Sequence, residues 1–352
     1  MTFLRACVVL AIAVVVTVAN GPWGAARADD NAEFYKNRQV KLLIGFGAGG
    51  GYDLFARLIS RTMGSHFPGG TAQVVPQNMP GAGSLTAANH IAQVAPRDGS
   101  VIGSVASGMP AAPLLNPDQA KFDSRKLTWL GSASSEVYID IVWHTSPVQT
   151  IEQLREHELI IGGTGPGAAT DDYPAIDREV LGLKFKLIPG YKSTKDVELA
   201  MERGEVQALA GTTWNTTKAR LGDWLTTKKI SVMAQYGREK HRDLPNVPLM
   251  IDYAKTDADR QALNMVFSRQ DMGRPYVAPP ELAPDRVKAL RAAFDATMKD
   301  PVFLGDAAKA DLDVSPIDGP AVDKLIAELY RVSPDVVKRV SQAITGQTRS
   351  VR

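Results

Sequence analysis

The hydrophobic pattern of the chain switches repeatedly between a period of two and a period near 3.6. Val40-Lys41-Leu42-Leu43-Ile44 is apolar and β-branched and predicts a buried strand. A glycine-rich stretch, 45–53, follows it. Beyond that Leu54, Leu58, Ile59, Thr62 and Met63 recur at helical spacing, with Arg57 and Arg61 off that face. Asp53 stands where the N-cap of this helix is expected. A second strand is predicted over 71–75, after the Pro68-Gly69-Gly70 turn. Pro80-Gly81-Ala82-Gly83-Ser84 then opens a helix over 85–94, and Asp98-Gly99 turns the chain into a strand over 101–105. This βαβαβ order predicts a mostly parallel sheet with helices on its faces.

The same alternation returns further on. Strands are predicted over 136–143, 158–162, 185–188 and 206–210. Between them lie a short helix capped by Thr150 and ending near His157, a helix running to about Leu181, and one over 194–203. A second glycine-rich turn, 162–170, joins the 158–162 strand to its helix. A strand, a glycine loop and a helix thus occur twice, roughly 117 residues apart from Gly47 to Thr164. The two copies read as equivalent positions in two similar α/β lobes. The C-terminal third turns helical: Pro284 leads the stripe Val287, Leu290, Phe294 and Met298, and Ser333-Pro334 starts a last helix through Val340. These helices are expected to cover the N-terminal sheet.

The N-terminus changes the picture of where this fold works. A short segment bearing Arg5 is followed by an uncharged run, 6–19, the break Gly21-Pro22, and the small-x-small site Ala26-Arg27-Ala28 before Asp29-Asp30. That layout predicts a secretory signal peptide, 1–28, cleaved after Ala28; the run is too short for a bilayer span, which takes roughly 20 apolar residues. Cys7, the one cysteine, lies inside it, so the remaining 324 residues hold together by an apolar core without disulfides. The full chain has 40 Lys and Arg against 38 Asp and Glu, and loss of Arg5 and Arg27 leaves it formally neutral. Nothing in that balance predicts a nucleic-acid or membrane-surface partner.

Gly45-Phe46-Gly47-Ala48-Gly49-Gly50 spells G-x-G-x-x-G between a strand and a helix, the setting of a dinucleotide fingerprint. That fingerprint needs an acid at the end of the second strand to hold the ribose. Here the strand runs into Val75-Pro76-Gln77, with no carboxylate before Asp98, and no cofactor is expected. The physics beneath the motif survives. Glycines admit a ligand close to the backbone, and the first amides of a helix lack internal partners and favour an anion. Two such loops point to an anion held from both sides.

The chain resembles the periplasmic binding proteins of tripartite tricarboxylate transporters, the Bug or TctC-like family. The resemblance runs through Phe46-Gly47-Ala48-Gly49-Gly50-Gly51-Tyr52-Asp53, Gln77-Asn78-Met79-Pro80-Gly81-Ala82-Gly83, Ala95-Pro96-Arg97-Asp98-Gly99 and Gly165-Pro166-Gly167. Gly190-Tyr191-Lys192, Arg203-Gly204-Glu205-Val206 and Arg242-Asp243-Leu244-Pro245-Asn246-Val247-Pro248 follow in the family's order. It implies a type II flytrap, with lobe one from 29–135 plus 240–352, lobe two from 136–239, and the chain crossing between them twice. It also implies a small organic acid in the cleft, delivered by a monomer to membrane transporter subunits. Carried over, the ligand lies between Phe46, Ala48, Gly49, Gly50 and Asp53 of the first loop and Thr164, Gly165, Gly167 and Thr170 of the second. Ser107, Thr212 and Trp214 join them from topology. Tyr52 stands where a small residue is usual and is expected to narrow or cap the pocket. Ala168-Ala169 displace the usual hydroxyl of the second loop, and Ser193 replaces a glycine after Tyr191-Lys192. For Asp53 the competing reading is the N-cap of its own helix, and for the rings of Tyr52 and Trp214 it is packing. His66, His90, His144, His157 and His241 show no zinc spacing, and no G-x-S-x-G elbow occurs. A sensory module serving a membrane receptor and a periplasmic hydrolase stay open beside transport.

Overall fold

The computed structural model describes residues 26–237 and 239–349. Most of the expected signal peptide, with Cys7, lies outside the described residues. The expected cleavage point falls in the first turn of a helix, α1 (Ala26–Tyr35).

The predicted βαβαβ run forms as β1 (Gln39–Ile44), α2 (Gly51–Met63), β2 (Gln73–Asn78), α3 (Leu85–Gln93) and β3 (Val101–Ser104). Strand β1 pairs in parallel with both others, Val40 opposite Val74 and Leu42 opposite Ile102. Phe55, Leu58, Ile59 and Met63 of α2 are buried against this sheet with Leu42 and Ile44. After α4 (Ala112–Leu115) and β4 (Thr128–Ser132) the chain enters a second sheet.

There it forms β5 (Tyr138–Trp143), α5 (Ile151–Glu156), β6 (Leu159–Gly162), α6 (Ala169–Leu181), β7 (Phe185–Ile188) and α7 (Thr194–Glu202). Then come β8 (Ala208–Thr213), α8 (Trp214–Thr226) and β9 (Ile230–Gln235). Strands β7, β6 and β8 are parallel, and β5 lies antiparallel between β8 and β9. Thr150 caps α5 as predicted: its hydroxyl accepts the Gln153 N–H, and the Gln153 side chain returns to the Thr150 N–H.

Past α9 (Asp257–Phe267), β10 (Pro275–Ala278) inserts antiparallel between β3 and β4. The chain ends with α10 (Pro284–Thr297), α11 (Pro301–Lys309), β11 (Ile317–Asp318), α12 (Gly319–Leu329) and α13 (Pro334–Arg349). The first sheet therefore runs β11-β4-β10-β3-β1-β2 and the second β7-β6-β8-β5-β9. The strands change sheet twice, at β4–β5 and β9–β10.

Residues 240–352 do not all join the first lobe. Helices α10 and α12 pack on β4, with Phe294 against Tyr276, but α9 and α13 pack on α6. The reason is the burial of α6 on several sides, Tyr173, Ala175 and Ile176 included, so that β8 covers only part of it. Leu263 and Val266 of α9, with Val340, Ala343 and Ile344 of α13, close the rest. Arg339 of α13 pairs with Asp259 at the start of α9. The last helix is thus a third link between the lobes, and α13 continues beyond Val340 to Arg349.

Candidate functional site

The first glycine loop starts α2 earlier than its sequence suggests. Gly50 is the N-cap and the helix opens at Gly51, which puts Asp53 in the first turn. Its carboxylate reaches back to accept the Gly49 N–H at 2.8 Å, along with Arg57 Nε at 2.9 Å and Asn78 Nδ2 at 2.8 Å. Burial pushes the Asp53 carboxyl up, but these hydrogen bonds outweigh it and hold it below the usual range. Asp53 is therefore a brace for the loop from inside the helix rather than its N-cap.

The second loop is braced in the same manner. The Gly165 N–H donates to Asp171 Oδ2 at 2.8 Å and the Gly167 N–H to Asp172 Oδ1 at 2.9 Å. Asp172 is in turn paired with buried Arg269 at 2.8 Å. Three glycine amides expected to face a ligand, those of Gly49, Gly165 and Gly167, are thus engaged by the protein's own carboxylates. The glycines instead let the lobes meet through backbone. Gly47 N–H donates to Lys192 O at 2.8 Å, and Gly83 N–H to Thr164 O at 3.2 Å. A Cβ on Gly83 would lie 2.4 Å from Gly165 O, so no side chain fits that contact.

Beside this seam lies a narrow pocket between the two sheets, with a cavity volume of about 40 Å³. Four helix starts line it: Gly50 to Tyr52 at α2, Ala168 to Thr170 at α6, Ser193 and Thr194 at α7, and Thr213 with Thr216 at α8. Amides in the first turn of a helix lack intrahelical acceptors, and the positive ends of four helix dipoles favour a bound anion. Of the residues singled out from sequence, Phe46, Gly50, Tyr52, Thr164, Thr170 and Thr212 line the pocket. Ala48, Gly49, Asp53, Gly165 and Gly167 are outside its lining, Ala48 exposed on its loop, and Ser107 faces an adjacent groove. Trp214 turns to an outer cleft, where its indole N–H donates to Asp243 at 2.9 Å.

Tyr52 forms a fixed wall. Its ring stacks on Phe46 at 4.5 Å and lies under the Arg274 guanidinium, while its hydroxyl accepts the Ser107 N–H at 2.9 Å and donates to Gly273 O. Arg274 is the one charged residue lining the pocket among the described residues. It is buried, donates from Nε to Glu136 at 3.0 Å, and gives its NH2 group to the hydroxyls of Thr213 and Thr216 at 2.9 Å each. No local pattern marks Arg274, because its partners lie 58, 61 and 138 residues away in the chain. Thr194 was likewise read only as a helix start, yet its hydroxyl is buried without a hydrogen-bond partner. Gly211, at the pocket's lobe-two side, donates its N–H to Asp140 at 2.9 Å. Asp140 and Asp177 share the Tyr236 hydroxyl, at 2.9 and 2.6 Å. Among the described residues no group of His, Cys, Asp and Glu is placed to hold a metal ion, and no helix is long and apolar enough to cross a membrane.

Known proteins share this architecture. The chain is similar to the periplasmic binding protein BugD, with a TM-score of 0.70 and 21% identity over 88% of this chain and 98% of that one. It is also similar to malate-bound MatC of Rhodopseudomonas palustris, with a TM-score of 0.66 and 17% identity over 87% and 99% of the two chains. An adipate-bound protein of R. palustris gives a TM-score of 0.67 at 17% identity, over 86% and 97%. Among curated proteins, the UPF0065 protein in the gbd 5' region of Cupriavidus necator is 22% identical over 91% of this chain and 92% of its own length. Residues 59–341 match the model of the tripartite tricarboxylate transporter family receptor, TctC. With that match covering most of its length, the chain belongs to the TctC family of tripartite tricarboxylate transporter receptors.

Proposed function

We propose that this protein is a periplasmic solute-binding protein that takes a small organic carboxylate into the interlobe pocket and delivers it unchanged to membrane transporter subunits. The observation that carries this reading is the convergence of four helix starts on one pocket between two sheets. Related proteins bound to malate and adipate support the ligand class. Export through a signal peptide, 1–28, fits the family, and the protein acts as a monomer.

In this reading the carboxylate is held by first-turn amides and hydroxyls rather than by the amides of Gly49, Gly165 and Gly167, which Asp53, Asp171 and Asp172 already occupy. Four to six charge-assisted hydrogen bonds at ~1.5–3 kcal/mol each supply the roughly −8 kcal/mol of micromolar binding, after association and closure costs. The moving bodies are the first sheet with α2, α3 and α10 to α12, and the second sheet with α5 to α9 and α13. Contact with both stabilises the closed arrangement over the open one. The pocket's lining offers hydroxyls, aromatic rings and one ion-paired arginine, which bind and orient a ligand. The ligand is returned intact.

A thermal-shift screen against mono-, di- and tricarboxylates, aromatic acids and acidic amino acids tests this directly. A ligand at 100 times its Kd adds about 2.7 kcal/mol of stability, a clear rise in melting temperature. A melting point moved only by a different solute class, or recovery of chemically altered ligand, would overturn the assignment.

A further inference from the structure

Resting on the carboxylate reading above, we infer that the ligand also carries a hydrogen-bond donor, a hydroxyl or ammonium group, that Thr164 Oγ1 accepts. The inference comes from counting protons. Asp171, buried in the first turn of α6, accepts the Gly165 N–H at 2.8 Å and the Thr170 hydroxyl at 2.9 Å. A threonine hydroxyl has a single proton. Thr170 spends it on Asp171, so in the 2.8 Å contact between the two hydroxyls Thr164 must be the donor. Thr170 Oγ1 takes the Thr164 N–H as well, at 3.1 Å. The chain of donation runs from Thr164 to Thr170 to Asp171, and Thr164 has no proton left for the pocket it lines. It offers lone pairs. A carboxylate placed there meets like charge, with Asp171 one hydroxyl behind; an O–H or N–H is matched. Burial pushes Asp171 up to about 6, which leaves it ionised at neutral pH and the order of donation intact.

The opposite polarity holds at the start of α8. Thr213 donates to Thr216 Oγ1 at 2.8 Å, and Arg274 donates to the same oxygen at 2.9 Å. Thr216 has therefore filled its acceptor sites and keeps its own proton for the pocket. The Thr194 hydroxyl at the start of α7 is buried and unpartnered, a cost that a ligand contact relieves. Donors thus gather at α2, α7 and α8, where the carboxylate sits, and the acceptor stands at α6. The pocket reads two different groups on one small molecule.

Calorimetric titration at pH 7.5 with matched sets tests this: propionate, lactate and alanine; butyrate with 2- and 3-hydroxybutyrate; succinate, malate and aspartate. At least one hydroxy or amino member is expected to bind tenfold or more tighter than its unsubstituted parent, and the two arms tell hydroxyl from ammonium. Thr164→Val should erase that difference, and Thr164→Ser should keep it. Should Thr164→Val fail to fold, Thr170→Val decides: with the Thr170 oxygen gone, the Thr164 proton loses its acceptor and is free to face the pocket, and the preference for donor-bearing ligands is lost. Parents that bind as tightly as their substituted partners overturn this inference and leave the carboxylate reading standing. A preference that survives both Thr164→Val and Thr170→Val also overturns it. Absence of binding by every member overturns the carboxylate reading itself.

Discussion

Asp140, Asp177 and Tyr236 show how single residues behind the pocket set the chemistry of the fold. One phenolic proton cannot serve two carboxylates, so at least one acid of the trio holds a proton. Burial pushes Asp140 up to about 7, partly offset by the Gly211 amide and Tyr236, and burial with the neighbouring Asp140 charge pushes Asp177 up further. Both acids hold protons in the fold that the unfolded chain releases near pH 4. The stability Asp140 contributes is full below that pH and is lost as pH rises through about 7, on the order of a few kcal/mol, and the contribution of Asp177 is likewise lost as pH rises. Asp53 and Asp259 run the other way: their carboxyls are held down in the fold, so their contribution disappears as pH falls below about 4. Urea midpoints should peak near pH 4–5 and decline towards pH 8, and Asp140→Asn should flatten that decline. A midpoint independent of pH over that range in both proteins would contradict the assignment. None of this was legible in sequence, since an aspartate in an apolar strand gives no sign of its partners. The glycines were legible as a motif. Their amides' partners, Asp53, Asp171 and Asp172, were not, because a carboxylate in a first turn reads equally as a cap, a brace or a ligand contact.

Among elements, those whose signals are local were readable. Thr150, with Gln153 three residues on, forms the expected capping box. The first five β and α elements follow hydrophobic periodicity and lie close to their predicted bounds. Strands β4 and β10 escaped notice because they are short and buried throughout, so no alternation marks them. The start of α2 was misplaced by three residues because a glycine N-cap needs no side-chain signature. Helix α13 was assigned to the wrong lobe because an apolar stripe tells which face is covered and not by what. Thr150→Ala should lower stability by about 1 kcal/mol in urea melts without changing ligand affinity, since this cap lies away from the pocket. A loss of affinity with unchanged stability would mean that α5 positions the site.

On the scale of the whole molecule, the glycine loops belong chiefly to the meeting of two lobes. Gly47 meets Lys192, Gly83 meets Thr164, and Gly51 abuts Thr216, all between elements of different sheets. This arrangement follows from the repeated strand–loop–helix unit: each lobe presents helix starts to the other, and the enclosed space takes the ligand. Gly51 sits where seam and pocket coincide. A Cβ there would lie 2.3 Å from Thr216 Oγ1 and 3.0 Å from Arg274 NH2, so a side chain would both fill the pocket and part the lobes. The most direct measurement is calorimetric titration of the best carboxylate from the thermal-shift screen into the natural protein and into Gly51→Leu, with folding checked by circular dichroism. Gly305→Ala, where an added Cβ meets nothing within 4 Å, serves as the control. Micromolar binding in the natural protein and the control, with a loss of about 100-fold or more in folded Gly51→Leu, or ~2.7 kcal/mol, is the predicted result. Undiminished affinity in that variant would contradict the placement of the ligand between the lobes.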